Sequence, residues 1–195
     1  MTKVIIVSGG FDPVHIGHVR MFRQAAEIAD TKAQVNQGRV IVALNSDEWL
    51  KRKKGKPFML FEERKEILEA MDCVTEVIKF DDSDETACDA IKQMHEKYEY
   101  LTTSMFGDDM LCLANGGDRI VGGVPSAESS LCKELGIKML WGIGGEKVQS
   151  SSSLIRNMDH KEYAYIAEKE GRLIEEAKNA TPVGELDEST TDSND

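Results

Sequence analysis

Residues 4–18 read Val-Ile-Ile-Val-Ser-Gly-Gly-Phe-Asp-Pro-Val-His-Ile-Gly-His, and this stretch decides the fold of the chain. Its first four residues are apolar and β-branched, which predicts a buried strand. A glycine turn follows, and from Gly17 to Asp30 apolar residues recur at helical spacing. The helix therefore begins directly behind the turn, where its unpaired N–H groups and partial positive charge suit a phosphate.

Two histidines, His15 and His18, stand at the predicted start of this helix. Because they are three residues apart, both rings face the same side of a helical turn. Gly9 and Gly10 have no Cβ, so the backbone there can approach a ligand closely. These features predict a phosphate clamp, and a tight turn with two surface histidines is the alternative. Neither GxGxxG nor GxxxxGK[ST], the two better-known phosphate motifs, follows this strand.

The rest of the chain alternates strands with helices. Apolar runs predict further strands at residues 39–44, 74–80, 110–114 and 138–143. Apolar residues at helical spacing predict helices at residues 17–30, 61–71, 84–98, 126–135 and 159–178. The basic segment 51–57 is predicted to be a flexible connection after a short helical turn at 48–50.

This alternation predicts an α/β fold, a Rossmann-like doubly wound parallel sheet of five strands with helices on both faces, plus a C-terminal helix. In such sheets ligands bind beyond the carboxyl ends of the strands. The glycine turn and the loops that follow residues 44, 114 and 143 are therefore expected to meet at one crevice.

The length of 195 residues fits one domain with a small appendage. We predict that this domain spans residues 1–157 and that a helical extension spans 158–178. Residues 179–195 are polar and acidic and contain no lysine or arginine, which predicts a disordered tail.

Composition excludes several kinds of partner. A net charge of −11 disfavours nucleic acid as the main partner, because phosphate backbones bind basic surfaces. The four cysteines form no CxxC pair, so no protein metal site is predicted. No apolar run approaches the ~18 residues that a membrane span needs, and no signal-peptide pattern is found. We therefore expect a cytoplasmic protein with reduced cysteines and no membrane partner.

A second motif lies at residues 149–156, which read Gln-Ser-Ser-Ser-Ser-Leu-Ile-Arg. Hydroxyls and free N–H groups at a helix start can hold phosphate oxygens. Alone, a serine-rich loop that caps a helix is the simpler interpretation. Combined with the histidine pair about 130 residues earlier, the motif favours phosphate binding by Ser151, Ser152, Ser153 and Arg156.

Together the two motifs resemble the signatures of the cytidylyltransferase-like nucleotidyltransferases, HxGH and roughly Ile-Ser-Ser-Thr-x-Ile-Arg. The first is literal here as His15-Ile16-Gly17-His18, and serine replaces threonine in the second. Class I aminoacyl-tRNA synthetases share the first motif. Their lysine-rich second loop is missing from this sequence, and the acidic charge also disfavours a tRNA-charging fragment.

The resemblance assigns roles to individual residues. The catalytic residues that it implies are His15, His18, Lys54 and Arg64. The nucleotide-binding residues that it implies are Gly9, Gly10, Phe11, Asp12, Lys53, Asp118, Ser151, Ser152, Ser153 and Arg156. Whether Lys53 or Lys54 acts on the phosphates stays open, and Asp118 would lie near the ribose or the base.

The resemblance also implies a reaction. A nucleoside monophosphate would pass from CTP or ATP to a phosphorylated small acceptor, a sugar phosphate or polyol phosphate, with release of pyrophosphate and with Mg²⁺ on the phosphates. Residues 53–57 and 116–118 are similar to heptose-phosphate adenylyltransferases, whereas residues 46–49 and Arg64 fit glycerol-3-phosphate cytidylyltransferases. A non-catalytic nucleotide-binding sensor or scaffold is the alternative function, and a homodimer is an open alternative to a monomer.

Overall fold

The structure is a computed structural model, and it describes residues 3–30, 38–99, 110–116, 125–146 and 149–157. The chain divides into two compact units, residues 1–154 and 155–195. Of the second unit, only residues 155–157 belong to the described part. The predicted helix at 159–178 and the predicted disordered tail at 179–195 lie outside the described residues.

Five strands and six helices make up the described chain. The strands are β1 (Val4–Gly9), β2 (Arg39–Leu44), β3 (Glu76–Lys79), β4 (Leu111–Gly116) and β5 (Lys138–Ile143). The helices are α1 (Ile16–Ala29), α2 (Asp47–Lys54), α3 (Phe61–Glu69), α4 (Cys88–Lys97), α5 (Ser126–Glu134) and α6 (Ser151–Asn157). None of these helices is long and apolar enough to cross a bilayer.

The strands form one parallel sheet in the order β3-β2-β1-β4-β5. From β1 the chain first winds outward through β2 and β3, and then returns to the other side of β1 through β4 and β5. This reversal beside β1 is the topological switch point of a doubly wound sheet, where ligands bind. The predicted fold class is thereby confirmed.

Alternate side chains of each strand enter two separate cores. Ile5 and Val7 of β1 pack with α1 and α3, where Phe22 and Leu68 are fully buried. Val4 and Ile6 pack with α4 and α5 on the opposite face. Because both faces are covered, the inner strands read as unbroken apolar runs in the sequence.

The helix α2 corrects the prediction of a flexible basic connection. It continues through Lys54 instead of stopping at residue 50. Ser46 caps its first turn, since the hydroxyl accepts a hydrogen bond from Trp49 N at 3.0 Å. Acidic residues in the first turn and four cations in the last turn complement the helix dipole. The basic residues are therefore held on a helix.

Another predicted helix starts later than expected. Residues 84–98 were expected to be helical, but α4 begins at Cys88. The side chain of Asp84 instead accepts a hydrogen bond from Thr86 N at 2.9 Å, and Glu85 has a φ of +66°. A local turn of this kind competes with helical hydrogen bonding and delays the helix.

Gly55 ends α2 with a φ of +87°, and its N–H donates to Lys51 O at 2.9 Å. Nothing lies within 4 Å of the position that a Cβ would occupy, so an added methyl would strain only the backbone. We predict that Gly55→Ala lowers the free energy of unfolding by about 1–2 kcal/mol in denaturant titration. Lys56→Ala, at the exposed neighbouring position, is the control and is expected to leave it nearly unchanged. Equal stabilities would contradict this account of the helix end.

Candidate active site

A cavity of about 610 Å³ lies at the carboxyl ends of the strands. The loops that follow all five strands line it, among them the glycine turn after β1 and the serine loop after β5. The volume falls in the ~300–1,000 Å³ range of small-molecule sites. The predicted convergence of four loops is confirmed, and the loop after β3 joins them.

The two predicted histidines form a stacked pair in this cavity. The helix α1 begins at Ile16, with His15 at its N-cap, so His18 lies less than one turn away. Their ring centroids are 3.6 Å apart with an angle of 18° between the planes, and Phe11 contacts His18 edge-on at 4.9 Å. The prediction that both rings share one side of the turn is confirmed.

A backbone hydrogen bond fixes the orientation of the His18 ring. The N–H of His15 donates to His18 Nδ1 at 3.3 Å. Since Nδ1 is an acceptor, the neutral ring carries its proton on Nε2. His18 therefore offers an N–H donor at Nε2, which is the chemistry that a phosphate oxygen requires.

The glycines of the turn serve protein packing. A Cβ on Gly10 would stand 2.9 Å from Leu50 Cδ2, so α2 could not approach as it does. A Cβ on Gly17 would stand 3.1 Å from the His15 ring, and one on Gly9 would stand 3.0 Å from the Phe11 ring. Both glycines line the cavity, and the prediction that their backbone approaches a ligand closely stays a prediction.

The serine loop meets the histidine turn directly. The hydroxyl of Ser151 donates to Pro13 O at 2.8 Å, across 138 residues of sequence. Ser150 caps α6, since its Oγ accepts from Ser153 N at 3.1 Å and lies 2.7 Å from Ser153 Oγ. Ser150, Ser151 and Ser152 line the cavity, whereas Ser153 is engaged by the cap.

Both candidate lysines lie at the cavity on α2. The Lys53 ammonium stacks over Trp49, 4.2 Å from the ring centroid. The Lys54 ammonium donates to Asp12 O at 2.7 Å. Burial lowers the pKa of Lys54, the Asp12 carboxylate opposes this effect, and the positive charge of Arg64 adds to it. Neither lysine is favoured over the other by position alone.

The structure places Asp12 behind the turn. The side chain is fully buried, and its two oxygens accept hydrogen bonds from Phe58 N at 2.9 Å and Met59 N at 2.8 Å. Asp12 was predicted to act at the nucleotide site, as a ligand or by orienting a histidine or the helix start. In the structure its carboxylate anchors the segment between α2 and α3 to the histidine turn, and its role toward the nucleotide stays a prediction.

Arg64 also lies outside the cavity, although it was predicted to be catalytic. Its guanidinium is fully buried and donates to Gly10 O at 2.8 Å and to Asn45 O at 2.9 Å. It also pairs with Asp47 Oδ1 at 2.7 Å and donates to Met59 O at 3.1 Å. These contacts make Arg64 a positioning residue that joins the turns after β1 and β2.

Two predicted site residues are not described. Asp118 lies outside the described residues. Arg156 belongs to α6, but its side chain is not part of the described structure.

The structure adds residues that the sequence analysis missed. Asp82 is buried and accepts from Ser46 N and Ser46 Oγ, both at 2.7 Å, and from Asn45 Nδ2 at 3.1 Å. Glu128 is buried at the cavity wall, and its Oε1 accepts from Ala87 N at 2.9 Å. Asn115 lines the cavity near the carboxyl end of β4, and a polar residue directly after the apolar run 110–114 is a signal that could have identified it; nothing local marks Asp82 or Glu128.

The donor set suits an anion. Imidazole, ammonium and hydroxyl groups line the end of the cavity at α1 and α6. Within the described ranges, no group of three or more histidines, cysteines or carboxylates could hold a metal ion. The arrangement can therefore bind a chain of phosphates.

The contacts of Asp12 generate a prediction about stability. An asparagine at this position offers one carbonyl oxygen, so its NH₂ group would face one of the two N–H donors. We predict that Asp12→Asn lowers the free energy of unfolding by about 1–3 kcal/mol in denaturant titration. Asp72→Asn, at an exposed position, is the control, with an expected change within about 0.5 kcal/mol. Unchanged stability in Asp12→Asn would show that the buried carboxylate is dispensable.

The chain is similar in sequence to several curated proteins. The bifunctional protein HldE of Azorhizobium caulinodans is 32% identical over 126 residues, which cover 61% of this chain and 24% of that protein. HldE of Hydrogenovibrio crunogenus is 39% identical over 82 residues, which cover 41% of this chain and 15% of that protein. The chain thus matches a quarter or less of the length of these curated relatives.

A solved structure, the lipopolysaccharide core biosynthesis protein from Thermoplasma volcanium GSS1, shares the fold. Its TM-score is 0.50 at 18% identity, and the match covers 75% of this chain and 100% of that one. A family model described as cytidylyltransferase-like matches residues 6–158. This match confirms the predicted family. Because the matched range includes both signature loops and most of the sequence, the chain belongs to the cytidylyltransferase-like family.

Proposed function

We propose that this protein transfers a nucleoside monophosphate from CTP or ATP to the phosphate of a small acceptor, a sugar phosphate or polyol phosphate, with release of pyrophosphate. One observation carries the proposal. The hydrogen bond from Ser151 Oγ to Pro13 O, 2.8 Å long, holds the serine loop and the histidine turn at one cavity. Two loops rich in phosphate-binding groups and distant in sequence then surround a single site.

The reaction needs little acid–base chemistry from the protein. An oxygen of the acceptor phosphate forms a bond to the α-phosphorus, and the bond from that phosphorus to the β-bridging oxygen breaks. Pyrophosphate leaves with the electron pair. Since the attacking group is already an anion, no general base is required, and catalysis consists of positioning and of neutralising charge on phosphate oxygens.

The cavity residues support these two tasks. His18 donates through Nε2 and His15 lies stacked against it, so both serve the α- and β-phosphates. Ser152 serves the β- and γ-phosphates through its hydroxyl, whereas Ser151, whose hydroxyl donates to Pro13 O, serves them through its backbone N–H at the start of α6. Lys53 or Lys54 would neutralise the developing charge.

Other predicted residues keep proposed or revised roles. Asp118 and Arg156 stay proposed nucleotide ligands. Arg64 and Asp12 act indirectly, because their contacts hold the turn and the segment before α3 in place.

We propose Mg²⁺ as a companion of the nucleotide. The carboxylates that line the cavity, Glu85, Glu128 and Glu146, form no metal-binding group of three within the described residues. This fits a cation that arrives on the phosphates better than one held by a protein ligand cluster. When bound, Mg²⁺ supplies charge neutralisation to the phosphate oxygens. The cation would need few ligands from this chain.

A non-catalytic nucleotide sensor is the alternative. Pyrophosphate release, measured for each of CTP and ATP against a panel of phosphorylated sugars and polyols, separates the two functions. We expect release with one nucleotide and one acceptor class, which would also identify the base. Nucleotide binding without release for any acceptor would favour the sensor.

The stacked histidines give a direct test of the site. We predict that His15→Ala and His18→Ala each lower kcat by ~10²-fold or more, because each removes a preorganised donor to the reacting phosphates. His95→Ala, on α4 and outside the cavity, is the matched control and is expected to retain the wild-type rate. Wild-type rates in both cavity variants would remove the proposed site.

The lowered pKa of Lys54 predicts a pH dependence. Its charge is lost at a lower pH than that of an ordinary lysine, so kcat/KM for the nucleotide is expected to fall as the pH rises through that pKa. Lys54→Arg is expected to move this fall to higher pH, since a guanidinium stays protonated. Lys51→Arg, at a side chain that is 57% exposed, is the control. If kcat/KM falls at the same high pH in Lys54→Arg as in the wild type, the group that binds the phosphates is not Lys54.

A further inference from the structure

The cavity extends across the edge of the sheet from one face to the other. Its histidines belong to the start of α1, which packs on the face of Ile5 and Val7. At the other end, the lining comes from the start of α4 and from α5, which pack on the face of Val4 and Ile6. The two ends therefore draw their side chains from different layers of the fold.

The chemistry of the two ends differs. The histidines and lysines that line the described part of the cavity lie with the glycine turn, where Lys54 contacts Asp12 and Lys53 stacks on Trp49. The α4–α5 end instead carries two carboxylates, Glu85 and Glu128, together with the amide of Asn115. The third lining carboxylate, Glu146, lies in the loop between β5 and α6. Glu85 is held by Arg52 at 2.6 Å, so Glu128 dominates this end.

Glu128 is built into the wall. It is 4% exposed, and the N–H of Ala87 at the start of α4 holds its Oε1 at 2.9 Å. A buried carboxylate is costly unless it is hydrogen-bonded, and it interacts strongly with ligands because water screens it poorly. Burial, and after it the charge of Glu128, raises the pKa of the Cys132 thiol to about 12. Since Glu85 is paired with Arg52, the Glu128 carboxylate gives this end of the cavity a negative field.

Such a field selects among acceptors. We propose that Glu128 is a specificity-determining residue that accepts a hydrogen bond from a hydroxyl at the end of the acceptor opposite its phosphate, and that it rejects acceptors with a second anionic group there. This inference rests on the proposed function for the identity of the second substrate. A charge-assisted hydrogen bond favours the hydroxyl, and like charges in a poorly hydrated site disfavour the anion.

The in-line geometry of phosphoryl transfer supports an acceptor at this end. The attacking and leaving oxygens lie on opposite sides of the α-phosphorus. Because the leaving phosphates belong with the cationic end, the attacking molecule approaches from the side of α4 and α5. The ribose of the nucleotide also carries hydroxyls that a carboxylate could bind, so it is the competing occupant.

Matched pairs of acceptors test the inference. Glycerol-3-phosphate and glycerate-3-phosphate differ by a carboxylate in place of a hydroxymethyl group, and glucitol-6-phosphate and 6-phosphogluconate differ in the same way. Titration calorimetry on the full chain is expected to show that the member with the hydroxymethyl group binds about tenfold or more tightly than its carboxylate partner in at least one pair. Glu128→Gln is expected to reduce this preference to near unity while the affinity for CTP and ATP is retained.

The controls separate binding from folding. Glu134→Gln makes the same change at an exposed position of α5 and is expected to keep the wild-type preference. Glu128→Asp keeps the charge but withdraws it by one methylene, so affinity for the hydroxyl is expected to fall while the carboxylate is still rejected. This second variant provides the test if Glu128→Gln fails to fold, as judged by its melting temperature.

Several results would overturn the inference. They are the absence of binding by both acceptors that lack the carboxylate, a wild-type protein without preference, and a preference that survives in Glu128→Gln. A loss of discrimination between ribonucleoside and 2′-deoxyribonucleoside triphosphates in Glu128→Gln would assign the residue to the ribose instead. The calorimetric titrations measure binding without turnover. A failure to release pyrophosphate would therefore count against the proposed function, whereas the preference among acceptors is decided by the titrations alone.

Discussion

One buried cation, the guanidinium of Arg64, organises the cavity. It has no solvent exposure, and it donates to the carbonyls of Gly10 and Asn45, which follow β1 and β2. An unpaired charge at this depth would cost several kcal/mol, so the protein is stable only when these acceptors surround it. Because the acceptors come from different loops, the guanidinium fixes the spacing between the glycine turn and the start of α2. A residue that would touch no substrate thus sets where the phosphate-binding groups stand.

Two buried carboxylates extend this framework. Asp12 holds the segment before α3, and Asp82 holds the turn that precedes α2. Their hydrogen bonds order the loops before a ligand arrives, which reduces the entropy that binding would otherwise lose. Preorganised donors also stabilise developing charge most effectively, since they need not reorient during reaction. The overall charge of −11 does not by itself oppose phosphate binding, because Lys53, Lys54 and the two histidines line the cavity where these loops converge.

Sequence patterns predict the structural features that depend on residues close together in the chain. The step from β1 to α1 and the common face of His15 and His18 follow from local periodicity, and the structure confirms both. The role of Arg64 could not be predicted, because Gly10 lies 54 residues away and nothing local marks the contact. The basic run after Leu50 resembles a loop in composition, but the cap at Ser46 and the complemented dipole keep it helical. Partners distant in sequence therefore decide which polar residues are structural and which face the substrate.

The sheet topology explains how one cavity can hold groups of opposite charge. With β1 between β2 and β4, segments that cover opposite faces of the sheet reach the same carboxyl edge. His18 on α1 and Glu128 on α5 approach the cavity from these two faces, so each keeps its own surroundings. If His18 and Glu128 paired directly with each other, the site would lose both its attraction for phosphate and its selectivity for a hydroxyl. Separation across the strand ends preserves both, as the proposed reaction between a nucleotide and a phosphorylated acceptor requires.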